Sequence, residues 1–364
     1  MTFSDMKKEA NTLLIIATIL ICAGIVMVYS SSSYHAYETF YDSAYYLKRH
    51  IFHFIVGLVL AGFTLKFDYR KLRRYARPLL GTSIVILVLV LLPGIGHEAG
   101  GARRWIRVGF LGFQPSELAG LCLIVYLADA LDRKQERIRS FYYGLMPLLI
   151  VSGLLVMLVL LQPDLGSAAA LLTVAILMLF IGGMNIIQII PFVISAVPIF
   201  YFLIWKVPYR LKRIVGYLDP WTRAEDAGFQ IVQSFLALGS GGIFGLGLGC
   251  SRQKLFYLPQ AHTDFIFSII GEELGLIGTL GIVFLFGLFV WQGMKIAIKA
   301  SDLFSKFLAM GITTNIGLKA IINIAVSTGA IPTKGLPLPF ISYGGTALIF
   351  NMVGVALLLS IANK

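Results

Sequence analysis

Asp264 is the first residue whose position invites chemistry. It closes the stretch QKLFYLPQAHTD at 253–264, where polar chain meets a long apolar run. A carboxylate at such a boundary loses part of its hydration. Its pKa then rises toward neutrality, which suits a general base. Asp264, following Thr263, also suits the cap of the next helix, and the two roles are compatible. Glu272 and Glu273 follow two helical turns further on, with Glu272 nearer the Asp264 face. Carboxylates inside a span face a cavity or a basic partner, so both a supporting role and an ion pair are open to them. Basic residues gather in the same connections: Arg103, Arg104, Arg107, Arg210, Lys212, Arg213, Lys254 and Lys334. Guanidinium forks and ammonium groups suit phosphate oxygens, and a pyrophosphate is the natural ligand. Lipid head groups are the plainer partner, with Trp105 as an interfacial anchor.

Other signals are weaker. QPDLG at 162–166 reads as a tight turn in which Asp164 caps the next helix. GLGLG at 245–249 follows no strand and leads to no Gly-Lys-Ser/Thr, so it is no nucleotide fingerprint. His262 with Asp264 lacks further ligands for zinc, and the chain has no GxSxG elbow. Lys319, with Asn315 and Asn323 on the same apolar run, favours a translocation pathway.

The elements that must carry these residues are membrane helices. The 364 residues are 58% hydrophobic and 13% charged, with a mean hydropathy of +0.84. Soluble domains carry about 25% charged residues, so a soluble enzyme, a disordered chain and a disulfide-rich module are excluded. Long apolar runs rather than alternating segments select an all-α, polytopic membrane protein over a barrel. Ten spans are predicted, at 13–29, 51–65, 79–93, 117–131, 143–161, 165–182, 186–205, 265–296, 304–327 and 342–361. The polar start and the long first run predict an uncleaved anchor helix. The chain reads as one membrane domain, 1–364, with a long extracytoplasmic loop at 206–264 between the seventh and eighth spans.

Clusters at 66–77, 133–139 and 295–306 put the basic short loops on the side of both termini, which the positive-inside rule makes cytoplasmic. The net charge of +12 therefore points to lipid head groups or an anionic substrate, not nucleic acid. Cys22, Cys122 and Cys250 make no disulfide framework. The long loop is too apolar for disorder, so the outer face is predicted to be the functional one. Its glycine-rich run, 239–249, is expected to dip into the outer leaflet, buried in protein or lining a cavity.

GARRWIRVGFLGFQPSEL at 101–118, QPDLG at 162–166, the PW and GFQIVQS of 220–234, the run 241–278 containing LPQAHTDF, and PTKGLPLPFISYGG at 332–345 together resemble the SEDS family (shape, elongation, division and sporulation proteins: FtsW, RodA, SpoVE). RQKLFYLPQAHTDF and PTKG are similar to the division and sporulation branch rather than the RodA-like one. The resemblance implies a peptidoglycan glycosyltransferase that polymerises lipid II, an undecaprenyl-pyrophosphate-linked disaccharide-pentapeptide, by an inverting displacement. It implies a class B penicillin-binding protein as partner, other division proteins, and a place in the bacterial cytoplasmic membrane at the division septum. It also implies that Asp264 is the essential carboxylate and that Arg103, Trp105, Lys254, Glu117, Lys334 and Ser342 fall in functional motifs. Arg104 is a further substrate-binding candidate, and Glu272 and Asp164 are supporting candidates. Gln260 stands where the family usually has a glutamate, so that position supplies no base here. No cofactor is expected beyond a divalent cation, Mg or Mn, on the pyrophosphate. A lipid II flippase and a non-catalytic division scaffold are the rival readings.

Overall fold

The computed structural model describes residues 3–99, 102–109, 111–135, 138, 140–188, 190, 194, 208–255 and 257–363. Its helices are α1 (Phe3–Phe40), α2 (Tyr45–Lys66), α3 (Leu72–Leu89), α4 (Pro115–Arg133), α5 (Met146–Leu161), α6 (Leu165–Ile181), α7 (Pro208–Leu218), α8 (Phe229–Ser240), α9 (Ile266–Lys299), α10 (Leu303–Ser327) and α11 (Gly345–Asn363). Every predicted span except the seventh coincides with a helix, α1–α6 and α9–α11 in order. The seventh, 186–205, falls almost wholly outside the described residues. Six of the described helices (α1, α2, α5 with the π turn before it, α9, α10 and α11) have the length and apolarity to cross a membrane. The rest fall short for visible reasons: α6 has 17 residues, and α4 carries Glu117, Asp129, Asp132 and Arg133.

Burial assigns the helices their layers. The spanning window of α11 is 83% buried and that of α2 only 17%, so α11 is the central post and α2 lies at the periphery. α11 is apolar all round, as a helix enclosed by others must be. It packs against α1, α2, α4 and α10. On the side of the basic clusters, Arg73 and Arg133 hold Asp129, and Glu9 meets Lys295 and Lys299.

Two features depart from simple helices. The connection before α4 folds as an antiparallel sheet of β1 (Gly96–Ala99), β2 (Ala102–Val108) and β3 (Leu111–Phe113), in the order β1-β2-β3. Sequence reading treats that stretch as loop. Secondly, α9 breaks at Gly275, where φ 67° and ψ −163° suit only glycine. The freed backbone groups bond to the glycine-rich run: Leu246 N and Gly247 N donate to the carbonyls of Glu272 and Glu273 at 2.9 and 3.0 Å. Leu276 N and Ile277 N donate to Gly242 O and Ile243 O at 2.9 and 3.2 Å. Non-helical backbone at membrane depth needs such protein partners.

Candidate active site

Connections converge at the ends of the helices on one side: the sheet before α4, the turn between α5 and α6, the chain before α9, and residues 328–344 between α10 and α11. Alternating helix direction brings these ends together, away from the basic clusters.

Asp164 caps α6 as its turn predicts, accepting from Ser167 N at 3.0 Å and Ser167 Oγ at 2.8 Å. Gln114 Nε2 donates to Oδ2, the oxygen that also accepts from Ser167 Oγ, at 3.3 Å, and Arg104 Nη1 lies 3.7 Å from it. Strand pleat turns neighbouring residues to opposite faces. Arg104 therefore faces Asp164, while Arg103 stands over Glu98 at 3.8 Å and Trp105 packs over Gly112. The structure thus brings Arg104 into the group and leaves Arg103 and Trp105 on the other face of β2.

Asp264 does not cap α9. The cap residue is Phe265, without a side-chain bond, and the Asp264 backbone closes a turn on Gln260 O at 3.1 Å. Among the described residues no donor bonds its carboxylate. The group keeps partial contact with solvent. Desolvation pushes its pKa up to about 6, against the pull of Arg213 and Arg104, while Asp164 adds a smaller upward push. Arg213 comes from α7 and donates to Thr333 O at 3.2 Å. Gly335 lies so near that a Cβ there would stand 3.0 Å from the Asp264 carboxylate. Its neighbour Lys334 is half-buried, and burial lowers its pKa. Among the described residues its ammonium has no hydrogen-bond or ion-pair partner. The side chain of Arg210 lies outside the described residues.

The remaining candidates take structural places. Ser342 is buried and donates to Thr263 O at 2.6 Å while accepting from Leu338 N at 2.8 Å. It ties two loops rather than facing open space. Lys254, expected as a substrate cation, is instead engaged by protein partners. It is buried and donates to Gly249 O at 2.7 Å, Glu273 at 2.9 Å and Ser30 at 3.4 Å. An ammonium so engaged has no donor left for phosphate. Glu272 accepts from Ser251 Oγ and from the backbone N–H of Arg252 and Gln253, so it staples the loop before the site. Glu117 is buried and pairs with Lys319 at 2.6 Å. This partner explains the intramembrane lysine and removes its weight as a sign of a translocation path. Sequence reasoning placed Arg213 in the basic cluster without singling it out beside Asp264, and it missed the sheet that aims Arg104. The run Arg103-Arg104-Trp105-Ile106-Arg107 has no apolar alternation that would have signalled the sheet.

Helices long and apolar enough to cross a membrane, closed at one end by a carboxylate among cationic side chains, define a multi-pass membrane protein. The chain belongs to the FtsW/RodA/SpoVE family, described as cell cycle protein, which it matches over residues 10–364. It is 46% identical over 364 residues to the probable peptidoglycan glycosyltransferase FtsW of Geobacter metallireducens, covering 100% of this chain and 97% of that one. It is 41% identical over 358 residues to the stage V sporulation protein E of Bacillus subtilis, covering 98% of each. A solved chain from "Structural coordination of polymerization and crosslinking by a peptidoglycan synthase complex" superposes with a TM-score of 0.79, at 29% identity and 96% coverage of both.

Proposed function

We propose that this chain is a peptidoglycan glycosyltransferase that polymerises lipid II at the outer face of the cytoplasmic membrane, with Asp264 as general base. One observation carries the base assignment. The Asp264 carboxylate has no hydrogen-bond donor among the described residues, faces Arg104 and Arg213, and has a pKa raised to about 6. The acceptor sugar hydroxyl attacks the anomeric carbon of the lipid-linked donor. The new O–C bond forms as the bond to the pyrophosphate breaks, and Asp264 takes the hydroxyl proton. Direct displacement inverts the anomeric centre without a covalent enzyme intermediate. Arg104, Arg213 and Lys334 receive the charge of the departing pyrophosphate. Arg103 and Trp105 are left to the approach of the lipid head group.

A divalent cation needs several oxygen ligands. Asp164 has its oxygens engaged, and two guanidinium groups oppose a dication beside Asp264. These residues alone do not make a metal site. The relatives' names and the solved synthase complex support a class B penicillin-binding protein as partner, and a role at the septum. Both termini are assigned to the cytoplasm by the positive-inside rule. The test supplies purified protein with lipid II in detergent, with and without that partner. Glycan polymer is expected. Lipid II movement across proteoliposomes without polymer supports the flippase reading instead.

A further inference from the structure

α10 carries Asn315, Lys319, Asn323 and Ser327 at intervals of four, hence along one face. Lys319 is consumed by Glu117. Asn323, one turn nearer the site, is 1% exposed. Its Nδ2 donates to Asp264 O at 2.9 Å and to Leu336 O at 2.8 Å. One buried amide therefore holds the backbone of the residue proposed as base and, on the facing loop, the residue directly after Gly335. Two further bonds join the same loops, from Tyr343 N to His262 O at 2.9 Å and from Ser342 Oγ to Thr263 O at 2.6 Å. Asn323 alone of these reaches Asp264 itself. No donor among the described residues bonds the Asp264 carboxylate, so no such side-chain bond sets its direction. Its aim follows from its backbone and from the close approach of Gly335.

We infer that Asn323 is the positioning residue of this site, aiming the Asp264 carboxylate by pinning the carbonyls of Asp264 and Leu336. The inference rests on the reading of Asp264 as base. Apolar surroundings strengthen both bonds, and losing the donor leaves two carbonyls unsatisfied. The charged groups around Asp264 are Arg213 on α7, Arg104 on β2 and Asp164 at the start of α6. Lys334 stands on the facing loop, and on α10 Lys319 is held by Glu117. None of these is touched by a change at Asn323, so a shift in Asp264 titration reports its placement.

The experiment measures lipid II polymerisation by the purified protein with its partner between pH 5 and 8. It compares the parent with Asn323→Leu, which is similar in size and has no donor, and with Asn323→Ser, which keeps one. Asn323→Leu is expected to lose about 10–100-fold in kcat, the scale of a roughly 1 Å misplacement, with KM within about twofold. Its acid limb is expected to move to lower pH, because a loosened carboxylate gains solvent. Asn323→Ser is expected to fall between the two in both readouts, and it carries the comparison if Asn323→Leu does not fold. A lower kcat with the acid limb unmoved in the folded variants means a merely structural role and overturns the inference. Asp264→Asn, run alongside, separates the claims. Near-parental activity there removes the base reading, whereas an inactive Asp264→Asn with an unmoved limb at Asn323 removes only this inference.

Discussion

The chemistry assigned to Asp264 depends on its being left alone. Asp164, a carboxylate in the same cluster, accepts from Ser167 and Gln114 and caps a helix, so its oxygens are engaged. Asp264 has no such donors among the described residues, and desolvation holds its pKa near 6. The sign of the pH dependence follows. The base works ionised, so the polymerisation rate is expected to be flat from about pH 7 to 8 and to fall about tenfold per unit below the pKa. Rate profiles with saturating lipid II check this, and full activity at pH 5 argues against the assignment. Asp264 was legible as a candidate from its place between polar chain and apolar run. The engagement of Lys254 was not, because its partners Ser30 and Glu273 come from distant segments. A cation read without its partner resembles a ligand for phosphate.

At the scale of elements, apolar length located the long helices, because spans are set by bilayer thickness, but not α7 and α8, which lie in the stretch read as a long loop. The sheet of 96–113 was hidden, because its strands carry arginines where a soluble sheet would show apolar alternation. The break in α9 was equally hidden. Its logic lies in the bonds between Gly275's neighbours and residues 242–247, which no local pattern reports. The pair between α4 and α10 invites a test. Lys319→Met leaves Glu117 buried without a partner and is expected to destabilise the protein by about 3–5 kcal/mol. Adding Glu117→Leu removes the stranded charge and is expected to recover most of that loss. Thermal unfolding in detergent reads both, and a Lys319→Met protein as stable as the parent contradicts the pair as drawn.

Across the whole molecule, the site connections collect at one set of helix ends and the basic clusters at the other. This segregation agrees with the orientation drawn from the positive-inside rule. Cys250 lies beside the site loop and is exposed, whereas Cys122 is buried. With Cys22 and Cys122 replaced, an impermeant thiol reagent is expected to label Cys250 from outside intact cells or spheroplasts. Labelling only after the inner membrane is opened inverts the topology and moves the site to the cytoplasm.

The central claim is that Asp264 takes the acceptor proton during lipid II polymerisation, and its most direct test is Asp264→Asn. The substitution keeps shape and removes the base. It breaks no side-chain bond among the described residues. Purified Asp264→Asn protein with its partner is expected to bind lipid II and unfold at the parental temperature, yet to form glycan at least about 10²-fold more slowly. Glycan formation at near the parental rate contradicts the account.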